Sequence, residues 1–151
     1  MRAILQRVLK SSVEVEGSIV SEIGPGLLVL LGVEAGDAAA DGDWLCGKIS
    51  RMRIFPDDRG KMNLSLLDTG GDLIVVSQFT LHASTKKGNR PSFLRAAAPS
   101  LSEPLYEGFC AALERELSKP VGRGVFGADM KVALVNDGPV TILLDSRARE
   151  S

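Results

Sequence analysis

Residues 130–144 read MKVALV, then NDGP, then VTILL, so two apolar strand-like runs stand on either side of the polar residues 136–139. This pattern predicts a hairpin of two antiparallel strands. Gly138 has no Cβ, and Pro139 has a fixed φ and no amide hydrogen. Such a tip exposes backbone carbonyls beside a surface with almost no side chains, so we expect a site that selects its ligand by shape.

Further strands are predicted by the other apolar runs of the chain, at residues 3–8, 13–16, 19–23, 27–33 and 73–81. Residues 13–16 alternate in polarity before a turn at Gly17, which favours a hairpin with residues 19–23. The continuous run at residues 27–33 is typical of a strand buried on both faces. Residues 73–81 begin apolar and end in hydroxyl and amide groups, so this strand ends in a polar segment.

Two helices are predicted. One begins with Asp37 as its N-cap and runs to about Arg51. The other follows Ser100, which has capping-box spacing with Glu103 and precedes an amphipathic stripe of leucine and phenylalanine. Strands and helices together indicate an α+β domain.

Length and composition favour one globular domain. The chain has 151 residues, 44% of them hydrophobic, with a formal net charge of −1. The longest apolar run is too short to cross a bilayer and no signal peptide is evident, so we expect a cytoplasmic protein without membrane contact. Cys46 and Cys110 are isolated, which suits buried thiols in a reducing compartment.

Basic residues are concentrated in one stretch. Between Asp72 and Glu103 there is no acidic residue, and the cations of this stretch are Lys86, Lys87, Arg90 and Arg95. Most clusters of this kind are solvated loops. The alternative interpretation is a local patch that contacts phosphates.

Several kinds of catalytic site are not supported by the sequence. One histidine, two distant cysteines and no cluster of carboxylates argue against a metal site. His82 lies near Thr80, but no orienting acid is evident, and a surface histidine is the better interpretation. The Gly24–Pro25–Gly26 segment precedes an apolar run instead of a helix, so it does not resemble a phosphate-binding loop. Two polar segments, 77–80 and 136–141, remain.

Six segments resemble the D-aminoacyl-tRNA deacylase family, also called D-tyrosyl-tRNA deacylases. They are GPGLLV (24–29), KMNLS (61–65), SQFTL (77–81), RPSF (90–93), ADM (128–130) and NDGPVT (136–141). The similarity runs in register from residue 1 to about residue 145. It implies a mostly antiparallel, barrel-like β-sheet with two main helices packed on it. This would be a single domain at residues 1–146, followed by a polar tail at 147–151.

The resemblance also implies an activity. Such an enzyme hydrolyses the ester that joins a D-amino acid, or glycine, to the 3′ end of tRNA, spares L-aminoacyl esters, and needs no cofactor. It is a homodimer in which Gly138–Pro139, with a cis peptide bond, enters the partner's pocket and faces residues 77–80. The residues carried over are Ser77, Gln78, Phe79 and Thr80 for catalysis, and Asn136, Gly138, Pro139, Val140, Thr141, Met130 and Arg7 for substrate binding.

Individual roles stay open at this point. In the family the terminal 2′-hydroxyl of the tRNA assists cleavage, and backbone N–H groups near Phe79 and Thr80 stabilise the oxyanion. The first alternative is a different ester hydrolase with Thr80 as covalent nucleophile, although no base for it is evident. The second is a tRNA-binding module without activity. Arg7 either braces the Gly-Pro segment or forms a purely structural ion pair.

Overall fold

The computed structural model describes residues 1–150, and Ser151, the last residue of the predicted tail, lies outside them. The strands are β1 (Arg2–Val15), β2 (Ser18–Ile23), β3 (Gly26–Gly32), β4 (Phe55–Pro56), β5 (Met62–Leu64), β6 (Asp72–Ser77), β7 (Gly122–Arg123) and β8 (Lys131–Asp145). The helices are α1 (Ala39–Arg51), α2 (Leu66–Thr69) and α3 (Pro99–Leu117), and a 3-10 helix spans Phe79–His82.

One six-stranded sheet forms the frame of the molecule, in the order β2-β1-β3-β6-β7, with β8 also paired to β1. Strand β1 is antiparallel to β2, β3 and β8, whereas the β3–β6 and β6–β7 pairs are parallel. The sheet is therefore mixed, with antiparallel pairs in the majority. It curls until Ser21 on β2 reaches β7, where its Oγ donates to the Arg123 carbonyl at 2.6 Å and accepts from the Arg123 amide at 2.9 Å.

The two faces of this curled sheet carry separate cores, because successive side chains of a strand point to opposite faces. On the outer face α1 and α3 pack against β3 and β6 in a cluster that includes Leu45, Leu113 and Val75. Inside the barrel a smaller cluster contains Leu28 and Val76. The predicted α+β fold, with a barrel-like sheet and two main helices, is confirmed.

The predicted hairpin at the C-terminus is wrong. Residues 131–145 form one continuous strand, β8, that pairs with β1 on both sides of residues 137–140. The residues that suggested a turn form a bulge within this strand instead. Tertiary pairing overrides the local turn signal, because the long strand β1 supplies a partner for both apolar runs. The strand predicted at residues 3–8 and the one predicted at 13–16 also merge into a single strand, β1, which ends at Val15, so Glu16 lies outside it.

Both predicted helix caps are also wrong, although the helices exist. Helix α1 begins after Ala38, and the Asp37 carboxylate is buried 2.8 Å from the Met1 amino group. Helix α3 begins after Ala98, because Pro99 has the φ that a first helical residue needs. Ser100 therefore lies inside the first turn.

The predicted tail is packed against the domain as far as it is described. Arg147 Nη2 lies 3.0 Å from Asp37 Oδ1 and donates to the Ala35 carbonyl at 2.7 Å. The Arg149 guanidinium lies 4.7 Å from the ring centre of Trp44. Residues 147–150 thus cover the start of α1.

Both cysteines are buried, as expected. Burial raises the pKa of the Cys46 thiol to about 12 and that of Cys110 to about 11. The described part of the chain contains no helix with the length and hydropathy that a membrane span requires.

Candidate active site

A cavity of about 590 Å³ opens at one end of the barrel, where β6 ends. Its walls come from the end of β6, the segment before α3 and the segment before β8. The lining residues used below are Val33, Ser77, Gln78, Phe79, Phe93, Ala96, Ala97, Phe126 and Met130. A mainly apolar pocket with a few polar groups at its edge is typical of a small-molecule or nucleoside site.

The polar segment after β6 leaves the sheet as a tight turn, so the prediction of a strand through residue 81 is wrong. Parallel pairing with β3 ends at Ser77, and the Gln78 amide then donates to the Leu31 carbonyl at 2.8 Å. Residues 79–82 form the 3-10 helix, here called the substrate turn. Hydroxyl and amide side chains favour such departures because they compete for backbone groups.

Close backbone contact holds the substrate turn against β3. A Cβ added at Gly32 would lie 2.9 Å from Leu81 Cβ and 3.0 Å from the Gln78 carbonyl oxygen. Arg2 Nη1 donates to the Leu81 carbonyl at 2.9 Å from the opposite side. The turn is thus fixed by its backbone, and only glycine fits beside it.

Two backbone amides at the start of the substrate turn lack hydrogen-bond partners. Within residues 1–150, neither the Phe79 nor the Thr80 amide donates to another residue. The first N–H groups of any helix lack partners inside the helix. Phe79 lines the cavity, whereas Thr80, the next residue, does not. A free backbone amide at such a position can stabilise a negatively charged oxygen.

His82 is the one basic side chain of the turn, and it does not line the cavity, so no side chain of the turn offers a general base there. Gln78 Nε2 donates to Thr80 Oγ1 at 2.6 Å, and a carboxamide nitrogen cannot accept a proton. Phe79 is 56% exposed, and its ring meets Phe93 edge to face with centroids 5.2 Å apart. The turn therefore presents an aromatic ring and backbone donors.

His82 is fully buried, so the expectation of a surface histidine is wrong. Neither ring nitrogen has a hydrogen-bond partner within the described structure. Burial lowers the pKa of the imidazole, and it outweighs the opposite influences of the Gly32 backbone and the Glu34 carboxylate. The ring faces Glu34 at 4.0 Å, so it packs behind the turn and not into the cavity.

The NDGP motif forms the bulge in β8. Gln6 pairs with Thr141 and Val8 pairs with Asn136, so residues 137–140 stand opposite Arg7 alone. Asn136 closes the neck of this bulge: its Oδ1 accepts from the Val140 amide at 3.0 Å, and its Nδ2 donates to Thr141 Oγ1 at 3.1 Å. A bulge of this size projects backbone away from the sheet.

Arg7 supports the bulge from behind. Its Nε donates to the Asp137 carbonyl at 3.0 Å, and its Nη1 donates to the Ile54 carbonyl at 2.7 Å. The same guanidinium lies 3.5 Å from the Asp137 carboxylate. Arg7 therefore both supports the Gly-Pro segment and forms an ion pair, the two roles that the sequence left open. The Gly138–Pro139 bond is cis, with Gly138 at φ +128° and Pro139 exposed.

Only part of the predicted site comes together within one chain. Ser77, Gln78, Phe79 and Met130 line the cavity, whereas no residue of the bulge does. Phe93 lies in the RPSF segment, but its type and position in the sequence indicate no role for it. No sequence pattern marks Phe126, Ala96 or Ala97 as cavity residues. No group of three metal-ligating side chains is present among residues 1–150.

Comparisons with known proteins agree on one family. A family model described as D-Tyr-tRNA(Tyr) deacylase matches residues 4–145. A protein named D-aminoacyl-tRNA deacylase from Bacteroides thetaiotaomicron is 57% identical over 150 residues, covering 99% of this chain and 100% of that protein. One of the same name from Flavobacterium johnsoniae is 59% identical with the same coverage.

Two solved structures share the fold. One titled c-Myc DNA Unwinding Element Binding Protein has a TM-score of 0.90 and 38% identity, covering 96% of this chain and 98% of that one. A probable eukaryotic D-amino acid tRNA deacylase has a TM-score of 0.80 at 19% identity, covering 95% of this chain and 97% of that one, which shows a common fold alone.

Proposed function

The chain belongs to the D-Tyr-tRNA(Tyr) deacylase family, and we propose that it hydrolyses the ester of D-aminoacyl-tRNA and of mischarged glycyl-tRNA. The products are free tRNA and the D-amino acid or glycine, and L-aminoacyl-tRNA is spared. The observation that carries this proposal is the substrate turn, where the consecutive Phe79 and Thr80 amides lack partners and Phe79 lines a cavity large enough for a nucleoside. The activity belongs in the cytoplasm, where aminoacyl-tRNA is used.

The substrate turn supplies electrostatic stabilisation. The ester carbonyl lies against the Phe79 and Thr80 amides, which stabilise the oxygen as negative charge develops on it. No side-chain base contacts the Thr80 hydroxyl, so the protein supplies no nucleophile in this mechanism. Water attacks the acyl carbon with assistance from the terminal 2′-hydroxyl of the tRNA, and the ribose 3′-hydroxyl leaves. Thr80 and Gln78, joined at 2.6 Å, are positioning groups in this mechanism.

The bulge supplies the selection between D and L substrates. Its Gly138 and Pro139 carbonyls hold the amino group of the substrate. An L side chain would then meet the backbone of the bulge, whereas hydrogen or a D side chain points away from it. Steric rejection by main chain suits an enzyme that has to act on many different side chains.

The bulge has to come from a second subunit, because it does not line the cavity of its own chain. A surface suited to this contact exists: Ile4 pairs directly with Leu30 and with Leu143, so the three side chains form a row on one face. Leu143 is 63% exposed. In the described structure β8 also pairs with β1 alone, so its outer edge is open. We therefore propose a homodimer that buries this face.

The basic stretch contacts the tRNA. Lys86, Lys87 and Arg90 are exposed near the cavity wall that contains Phe93. Exposed lysine and arginine side chains bind phosphates without reading sequence. The 3′ end would then enter the cavity while the loop holds the adjacent backbone.

A direct test compares the purified protein on matched substrates. One tRNA is charged with the D and the L form of the same amino acid, and with glycine, and ester loss is followed against spontaneous hydrolysis. We expect rapid release from the D and glycyl forms and release of the L form at the uncatalysed rate. Equal rates for D and L, or no acceleration of either, would refute the proposal.

A further inference from the structure

The end of β3 separates two walls of the cavity. On one side, Gly32 contacts the substrate turn, as described above. On the other side, the Ala97 amide donates to the Val33 carbonyl at 3.0 Å, and the Ala35 amide donates to the Arg95 carbonyl at 3.0 Å. Residues 93–97, here called the alanine wall, are therefore connected to the substrate turn through residues 32–35.

One buried carboxylate fastens this junction. Glu34 is 7% exposed, and its Oε1 accepts from Arg95 Nη2 at 2.7 Å and from Arg95 Nε at 2.8 Å. Its Oε2 lies 3.3 Å from Arg147 Nη1 and 4.0 Å from His82 Nδ1. The carboxylate thus contacts the alanine wall, the C-terminal segment and the last residue of the substrate turn.

The charge on this carboxylate is maintained by its neighbours. Burial alone would raise the pKa of Glu34, but the Arg95 hydrogen bond and the charges of Arg147 and Arg95 together hold it below its ordinary value. The Arg95 side chain is 52% exposed, so solvent screens its ion pair in part. Two nitrogens on a single buried oxygen nevertheless fix the direction of the guanidinium.

We propose that Glu34 and Arg95 are positioning residues that hold the alanine wall against the substrate turn, and so set the width of the cavity for the terminal nucleoside. This rests on the proposed function. The proposal gives the cations of the basic stretch two different roles. Lys86, Lys87 and Arg90 bind phosphates, whereas Arg95 binds Glu34 within the protein. The Glu34–Arg95 ion pair is here called the brace. The aromatic contact between Phe79 on the turn and Phe93 on the wall is the part of the cavity that depends on it.

The first test reads the geometry without any substrate. Nuclear Overhauser contacts between the Phe79 and Phe93 rings are measured in the wild type, in Arg95→Gln and in Glu34→Gln, with Arg90→Gln as the matched control. We expect the contact in the wild type and the control, and its loss in both brace variants. Thermal melting verifies that each variant is folded, and the half-exposed Arg95 keeps the test usable if Glu34→Gln unfolds. An unchanged ring contact in folded Arg95→Gln would overturn the proposal.

The second test separates a brace from a phosphate contact. Affinity is measured for a small probe, adenosine carrying a D-amino acid in a stable 3′-amide link, and for uncharged tRNA over a range of salt. Arg95→Gln removes the charge-assisted hydrogen bonds to Glu34. Because the alanine wall can then shift relative to the substrate turn, we expect about tenfold weaker binding of the probe. Arg90→Gln should bind the probe normally and show a smaller salt dependence with tRNA.

The opposite result is that Arg95→Gln binds the probe normally and binds only tRNA more weakly, with a smaller salt dependence. This result would identify Arg95 as a phosphate contact and would overturn the proposed brace. Failure of the wild type to bind the probe would count against the proposed function instead. The ring contact in the first test would still decide whether the brace exists.

Discussion

Gly138 shows most directly how one residue can shape the proposed site. It has a φ of +128°, and an added Cβ would lie 2.9 Å from Arg7 Nη2 and from Val140 Cγ2. Residues other than glycine rarely adopt this φ, so a side chain here has both a conformational and a steric cost.

The first prediction is that Gly138→Ala lowers kcat/KM on D-aminoacyl-tRNA at least about tenfold, or reduces the D over L preference, because the bulge shifts. Gly108→Ala is the control, since nothing lies within 4 Å of its Cβ position. Deacylation rates on D and L substrates measure the effect. Unchanged rates in Gly138→Ala would argue against a role for the bulge in selection.

The second prediction concerns Thr80. Because its hydroxyl contacts the Gln78 carboxamide and no base, we expect Thr80→Ala to retain a large part of the deacylase activity. A covalent nucleophile would lose about three to six orders of magnitude. Single-turnover rates measure the loss, and mass spectrometry of quenched wild-type reactions looks for an acyl-Thr80 adduct. Detection of that adduct would replace the RNA-assisted mechanism by the Thr80 alternative.

The third prediction is a pH dependence of stability that comes from His82. Its pKa is lowered in the folded protein because burial disfavours the charged ring. The unfolded chain therefore binds more protons below its ordinary pKa of about 6.5, and the free energy of unfolding falls as pH drops through that window. The charged groups around the ring are Glu34, Arg2 and the Met1 amino group.

Urea unfolding of the wild type and of His82→Gln between pH 8 and 5.5 tests this dependence. We expect the loss of stability over this range to be smaller in the variant, which cannot titrate at this position. Parallel curves for the two proteins would show that His82 is not responsible.

At the scale of elements, the bulge in β8 depends on Asn136. The Oδ1 and Nδ2 atoms of this one side chain bond the Val140 amide and the Thr141 hydroxyl across the neck of the bulge. Removing the bulge to give an ordinary antiparallel ladder would require a register shift in β8. That shift would turn the β8 side chains on one side of the bulge to the other face of the sheet.

The fourth prediction is that Asn136→Ala destabilises the protein by about 1 to 3 kcal/mol. Its three hydrogen bonds, with the Val140 amide, Thr141 Oγ1 and Gln6 Oε1, are lost, and a backbone amide loses its partner. Activity should fall further than stability does, because the bulge loses its fixed shape. Asn136→Asp is the informative comparison: its carboxylate still accepts from Val140 but cannot donate to Thr141. Full activity in Asn136→Ala would exclude the bulge as a rigid element.

The starts of α1 and α3 show why local sequence patterns misplace the ends of helices. Ser100 and Glu103 have capping spacing, yet Pro99 begins α3 earlier. Asp37 is a good cap by residue type, yet its carboxylate is used by the Met1 amino group. The helices themselves were predictable because each buries an apolar stripe. Their exact ends were not predictable, since nearby polar groups compete for the same partners.

At the scale of the whole molecule, the two parts of the proposed site lie apart within one chain. The substrate turn follows the end of β6, whereas the bulge lies midway along β8 and does not line the cavity. Phe79 is left 56% exposed. In a dimer with two-fold symmetry each subunit would complete the site of the other.

The fifth prediction tests this arrangement by complementation. Gly138→Ala damages the bulge, and Gly32→Ala damages the turn, because its Cβ would lie 2.9 Å from Leu81 Cβ. The two variants are co-expressed with different tags, and the heterodimer is isolated. One of its two sites then has both intact parts, so we expect about half of the wild-type rate per dimer.

Each homodimeric variant serves as the control and should be weakly active. A heterodimer as inactive as its parents would place both halves of the site in the same subunit. A protein that is monomeric by analytical ultracentrifugation would contradict the proposed dimer directly.

The sequence by itself determined the fold class, the buried strands β3 and β6, the two main helices and the family, because apolar periodicity and motif spacing are local properties of the chain. Only the tertiary structure decided that residues 137–140 form a bulge in one long strand, that His82 is buried, and that Arg95 is tied to Glu34. Each of these depends on a partner far away in the sequence: β1 pairs both halves of β8, β3 covers the substrate turn, and Glu34 lies 61 residues before Arg95. Side-chain type alone does not reveal such partners, since the free energy of a polar group depends on what it meets when it is buried.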